Sequence, residues 1–155
     1  MKASKKLIAG LNRALAEELA AIGRYTVHAE MASNWGYALL HTTTEARAHD
    51  EMRHAEMLIE RVIFLDGAPS VEKPAPIKIG RDVKAQIAID LADEVAARKL
   101  YNELIELARA EKDRGTEDLL AQILHDEERH LDDLEAQTDQ IEQMGLENFL
   151  ALQVK

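Results

Sequence analysis

The chain has 155 residues, one domain's worth, and is 46% hydrophobic but only 4% aromatic; with alanine, leucine, glutamate, lysine and arginine frequent, this favours helix over sheet. It contains no cysteine, which excludes disulfides, zinc ribbons, rubredoxin-type iron sites and thiol nucleophiles. Its formal charge of −10, from 19 basic and 29 acidic residues, disfavours nucleic acid and anionic membranes as partners and favours cations.

The basic, then apolar start (MKASKKLIAGLNRAL) resembles a signal peptide, but Asn12 and Arg13 interrupt the run and the pattern continues as an amphipathic helix. No stretch approaches the roughly 18 apolar residues of a membrane span, so a soluble, cytoplasmic protein is expected. Apolar residues recurring at three and four predict four long helices. The first, about 5–34, carries Leu7, Leu11, Leu15, Ile22 and Tyr25, with Ser4 as N-cap. The second, about 36–65, carries Ala55, Leu58, Val62 and Leu65. All three prolines fall in the next segment, 66–81. The third helix, about 82–111, carries Ile87, Leu91, Tyr101, Leu104 and Ala108. The fourth, about 116–143, is read with Thr116 as its N-cap, and a short tail helix, about 146–153, carries Leu146, Phe149, Leu150 and Leu152. The whole, 1–155, reads as a single all-α domain built on a four-helix bundle. Short joints at 34–36 and 114–115 make antiparallel neighbours. The 66–81 segment can stretch about 50 Å, longer than the roughly 45 Å of a 30-residue helix, so it can cross the bundle and leave the second and third helices parallel.

The hexapeptide HDEMRH (His49 to His54) returns as HDEERH (His125 to His130). At the same offset of 76 residues Glu18 falls on Glu94 and Tyr25 on Tyr101, as in two helical hairpins related by internal duplication. Glu18, Glu51, Glu94 and Glu127 each lie on an apolar face near mid-helix, and His54 and His130 follow their glutamates at i+3 on the same face. Unpaired buried carboxylates cost several kcal/mol each. No lysine or arginine is expected on those faces, since Arg53 and Arg129 stand two positions from Glu51 and Glu127 and point elsewhere. Two divalent cations would neutralise four carboxylates, and the nitrogen and oxygen ligands suit iron or manganese. A lone inward glutamate is usually paired or partly solvated, and a lone Glu-x-x-His is usually a surface pair; four helices sharing one offset argue otherwise.

This ligand pattern is that of ferritin-like di-iron proteins, and the sequence resembles bacterioferritin over essentially its whole length. The resemblance rests on the spacing of the six residues and on AEELAAIGRYTVHAEM (Ala16 to Met31), NWG (Asn34 to Gly36), DEMRHAE (Asp50 to Glu56), IERVIFLDG (Ile59 to Gly67) and QMGLENFL (Gln143 to Leu150). It implies a ferritin-like bundle with a long crossover between the second and third helices and a C-terminal fifth helix. It also implies a ferroxidase centre of two iron ions per subunit. Glu51 and Glu127 would bridge the ions, with Glu18 and His54 completing one and Glu94 and His130 the other. Ferrous iron would be oxidised with dioxygen or hydrogen peroxide, and ferric mineral stored in a cage. Tyr25, two turns beyond Glu18, is expected to bond a bridging carboxylate, to donate an electron, or to be a core tyrosine; Tyr101 has the same geometry in the other half.

The letter that breaks the repeat is Met52 against Glu128. Met52 falls on the outer side of its helix, where the resemblance implies an axial ligand to haem b, given by two subunits across a two-fold axis; Glu128 is expected to face water. Polar neighbours (Glu45, His49, Glu56) and Thr26, where an aromatic is usual, leave open a methionine packed in a haemless dimer interface. Ala46 stands where some members have a histidine that, with an aspartate such as Asp50, makes an inner-surface iron site, so that site is not expected. The resemblance further implies a homo-oligomeric shell of 24 subunits, with the tail helix near a four-fold axis or else capping the bundle, and a ferredoxin-type reductant for iron release. The competing reading is a rubrerythrin-like di-iron oxidase or peroxidase without a cage, though rubrerythrins usually add a cysteine-rich domain. A purely structural bundle would leave the inward carboxylates unexplained.

Overall fold

The computed structural model describes residues 2–155; Met1, where the expected domain begins, lies outside them. Its elements are α1 (Lys5–Asn34), α2 (Ala38–Phe64), α3 (Val83–Ala110), α4 (Arg114–Met144) and α5 (Leu146–Ala151), with no strand among the described residues. This is a four-helix bundle with a short fifth helix. None of its helices is long and apolar enough to cross a membrane.

Caps account for the bounds. Ser4 Oγ accepts from the Leu7 amide at 3.0 Å and starts α1. At the first joint Gly36 turns the chain with φ 86°, and α2 begins at Ala38, two residues later than expected. Asp82 caps α3, accepting from the Ala85 amide at 2.8 Å. For α4 the expected cap was wrong. Asp113 takes that place, accepting from the Thr116 amide at 3.0 Å and from its hydroxyl at 2.7 Å, so Thr116 is buried inside the first turn. The carboxylate wins because it satisfies two donors at once and sits at the positive end of the helix. The expected joint at 114–115 therefore lies within α4. At the other end, α5 stops at Ala151, where the Gln153 amide folds back on the Leu150 carbonyl at 3.0 Å.

The crossover runs the length of the site on α1. Asn12 ties down Ala68 and Ser70, the Ala75 amide reaches the Ala16 carbonyl at 3.1 Å, and the Gly80 amide reaches His28 Nε2 at 3.1 Å. The loop thus climbs α1 from Asn12 to His28, and α3 then descends antiparallel to α1 and parallel to α2. Gly80 is needed here, because a Cβ would stand 2.5 Å from the Gln86 amide nitrogen.

The core is divided. One end holds a continuous apolar cluster including Leu7, Leu11, Leu58, Leu104, Leu120 and Ile123. The other has a smaller one, Ala32, Leu40, Val83, Ile87, Leu134 and Phe149. Phe149, fully buried, is how α5 caps that end of the bundle. Between the two clusters lies a band of buried polar side chains.

Candidate metal centre

Glu18, Glu51, His54, Glu94, Glu127 and His130 are each at most 3% exposed, one or two from each of the four long helices. Their ligand atoms fall into two groups: Glu18, Glu51, His54 and Glu127, and Glu51, Glu94, Glu127 and His130, with all atoms of a group within 4.8 Å of one another. Glu51 and Glu127 belong to both groups. Glu18 with His54 lies on one side of them and Glu94 with His130 on the other.

The donor set is short of partners. Glu18 Oε2, Glu51 Oε1, Glu94 Oε2, Glu127 Oε1 and His130 Nδ1 are buried without a hydrogen bond. One such atom is a cost of about 1–3 kcal/mol and more for a charge, so five converging atoms describe a site shaped for something else. A pair of divalent cations fits: the free atoms are carboxylate oxygens and imidazole nitrogen, with no amine among them.

Burial, and then the charge of Glu18, push the Glu51 and Glu127 carboxyls well above the usual range. Burial acts the same way on Glu94 but is outweighed by His130 and Glu127 beside it, which draw it down to about 2. Burial alone would lower both imidazoles, but the carboxylates of Glu127, Glu18 and Glu51 around His54, and that of Glu94 3.4 Å from His130 Nδ1, outweigh it and raise them. In His54, Nδ1 lies 2.9 Å from Glu51 Oε2 and Nε2 2.9 Å from Asp126 Oδ2, so a carboxyl group faces each nitrogen.

The outward nitrogens have a shell of their own. His54 Nε2 donates to Asp126, and His130 Nε2 to Asp50 at 2.9 Å, each histidine being held from the opposite helix. Arg53 and Arg129 each bind both aspartates, at 2.7–3.3 Å. These bonds fix Nδ1 toward the cluster, as metal-binding histidines require. Neither aspartate was expected to act here, although both repeat within the duplicated hexapeptide.

The tyrosines are crossed. Tyr25 OH donates to Glu94 Oε1 at 2.5 Å, and Tyr101 OH donates to Glu18 Oε1. Tyr25 therefore holds one of the outer carboxylates of the cluster and neither of the shared pair, Glu51 and Glu127. The reason is register: α1 and α3 are antiparallel, which brings a residue two turns beyond Glu18 level with Glu94. Both phenols are pushed well above their ordinary value, first by burial and then by Glu94 or Glu18.

Two expectations change. A buried arginine does stand on an inward face: Arg47, one turn before Glu51, is 4% exposed, yet its Nε and Nη2 bond to nothing, carboxylates included. Arg24, also buried, pairs with Asp90 at 2.9 Å and Asp93 at 2.8 Å. Glu128 does not simply face water, since it accepts from Arg98 Nε at 2.9 Å. Met52 is 48% exposed on the outer side of α2. A narrow cleft between α1 and α3, lined at its mouth by Glu17 and Asp93, leads to all four carboxylates.

A ferritin-like domain family matches residues 8–144. The chain is 36% identical over 151 residues to a bacterioferritin of Mycolicibacterium paratuberculosis, covering 97% of this chain and 95% of that one. A bacterioferritin of Brucella melitensis is 37% identical over 149 residues (96% and 92%), and one of Rhodobacter capsulatus 35% over 152 (98% and 94%).

Proposed function

This chain belongs to the ferritin-like proteins and, among them, to the bacterioferritins, and on that premise we propose that it stores and detoxifies iron as a ferroxidase. The observation that carries the reading is the pair of overlapping four-residue groups with five buried atoms left without partners. Glu51 and Glu127, which belong to both groups, would be shared by two metal ions; Glu18 and His54 would complete the holding of one, and Glu94 and His130 that of the other. Iron held there supplies electrons to dioxygen or hydrogen peroxide. The protein's part is to set the geometry. Asp126 and Asp50 aim the two imidazoles, and Tyr25 and Tyr101 hold one oxygen of Glu94 and Glu18 so that the other stays free. Glu17 gives incoming cations an acidic group at the mouth, where Asp93 is paired with Arg24.

The finer reading is a single ferritin-like unit that assembles into a homo-oligomeric cage of 24 subunits in the cytoplasm, depositing ferric mineral inside and releasing it to a ferredoxin-type reductant. Met52 from two subunits would hold haem b across a two-fold axis; its thioether is of the right chemistry and is exposed on the outer side of α2, which supports the assignment. Haem supplies electron transfer there.

Aerobic ferrous oxidation, followed in the near ultraviolet, tests the centre: Glu18→Ala and His130→Ala should each slow it by about tenfold or more. Unchanged rates would remove these residues from the reaction. A particle near dimer mass by light scattering would favour the rubrerythrin-like alternative. A Soret band lost on Met52→Leu would support haem, and its absence from haem-replete protein would count against it.

A further inference from the structure

The cleft that leads to the four carboxylates carries a cation in its own wall. At the repeat offset Glu17 corresponds to Asp93, and Arg24 to Leu100. All four line the cleft. Glu17 is exposed, and among the described residues no cation pairs with it. Asp93 instead accepts from Arg24 Nη1 at 2.8 Å, a bridge from α3 to α1. The inner end of this bridge is fixed. Arg24 is 5% exposed and also donates through Nε to the buried Asp90 at 2.9 Å, which His28 holds in turn. The outer end is free to turn to water, since the Asp93 side chain is 48% exposed.

We propose that the Arg24–Asp93 bridge is a gate on the cleft, opened when an incoming divalent cation takes Asp93 from Arg24, and that it sets how fast the centre fills rather than how tightly it holds metal. The inference rests on the ferroxidase reading. The free room in the cleft is about 20 Å³, enough for roughly one water. A divalent cation arriving with its shell of waters does not fit, so part of the wall must yield. Ala21 and Ala97 are already small, Tyr101 is tied to Glu18, and Leu100 is packed into the main apolar core. The bridge is the crosspiece that can open. Asp93 swings to water while Arg24 keeps Asp90, so no buried charge is left unpaired. Once the cation has passed, the bridge closes again behind it. A barrier that stands both before and after passage slows entry and exit alike and leaves the affinity unchanged.

The test follows cobalt(II) binding to the whole protein by stopped-flow visible absorption, with no iron or oxidant present. It compares the wild type with Asp93→Asn and with the double variant Arg24→Gln/Asp93→Asn, which removes the bridge and leaves the net charge of the mouth unchanged. Both variants should fill about fivefold or more faster, and release cobalt to excess chelator faster by a like factor, with the affinity kept within about twofold. Asp93→Asn separates the gate from simple attraction: if Asp93 only drew cations in, losing its charge would slow filling. An unchanged or slower rate in either folded variant overturns the gate. Should circular dichroism show the double variant unfolded, Asp93→Asn decides alone. Wild type that binds no cobalt overturns the ferroxidase reading and the gate with it. Wild type that binds cobalt no more slowly than the variants overturns the gate only.

Discussion

The two hairpins, α1 with α2 and α3 with α4, carry the same ligands in different surroundings. Glu18, Glu51 and His54 have their counterparts in Glu94, Glu127 and His130, and each half reaches across to aim the other's histidine and hold the other's carboxylate. Beyond that shell the likeness stops. Around Tyr25 lie Arg24, His28, Asp90 and Arg47, a buried polar network in which His28 Nδ1 donates to Asp90 at 3.0 Å and Nε2 accepts from Gly80. The equivalent positions around Tyr101 are Leu100, Leu104, Ala14 and Ile123, all buried in the main apolar core. A symmetric centre is thus set between a polar end and an apolar end. The repeat thus holds for the carboxylates and imidazoles of the cluster and fails in the layer that supports them.

The sharpest way to break the symmetry is at its axis. Glu127→Ala removes a carboxylate shared by both groups and should abolish both cobalt-binding steps, with ferrous oxidation falling about a hundredfold or more. Glu18→Ala and Glu94→Ala should each leave one step, and a large difference between these two variants would mean that the halves are not equivalent. Next comes acidity. Burial raises the Glu51 and Glu127 carboxyls and the surrounding carboxylates raise both imidazoles, so metal binding should release protons. Affinity should therefore fall as pH falls, by up to about tenfold per pH unit for each proton displaced, as a cobalt titration at several pH values would read.

The unequal ends should differ in stability. Leu104→Ala, in the apolar end, should cost about 2–5 kcal/mol in chemical denaturation through the cavity it leaves. His28→Leu, in the polar end, should cost about 1–3 kcal/mol by stranding the Gly80 amide and one side of Asp90. Asp50→Asn and Asp126→Asn should each weaken metal binding about tenfold and by similar amounts, because the carboxylates aim equivalent histidines. The smallest effect belongs to Arg98→Ala. Its partner Glu128 is exposed, so the stability change should stay below about 1 kcal/mol.

Much of this was legible beforehand because the pattern is local to each helix. The 3.6-residue period put Glu18 among Leu11, Leu15 and Ile22, and three residues from Glu51 to His54 is one turn of one face. The start of α4 was misplaced because Asp113 and Thr116 are both good caps, and the choice depended on which could satisfy two donors. Asp50 and Asp126 were visible in the repeat, but their role was not, since the histidine each one holds sits on a different helix.

What the sequence determined by itself is the set of helices, the faces they bury and the six side chains carried on those faces, all of which follow from spacing along a single helix. Only the tertiary structure decided that Tyr25 meets Glu94 and Tyr101 meets Glu18, that the imidazoles turn Nδ1 inward, and that Arg47 stands unpaired beside one tyrosine and not the other. Those facts depend on the antiparallel register of helices about 70 residues apart in the chain, and no local periodicity carries that register.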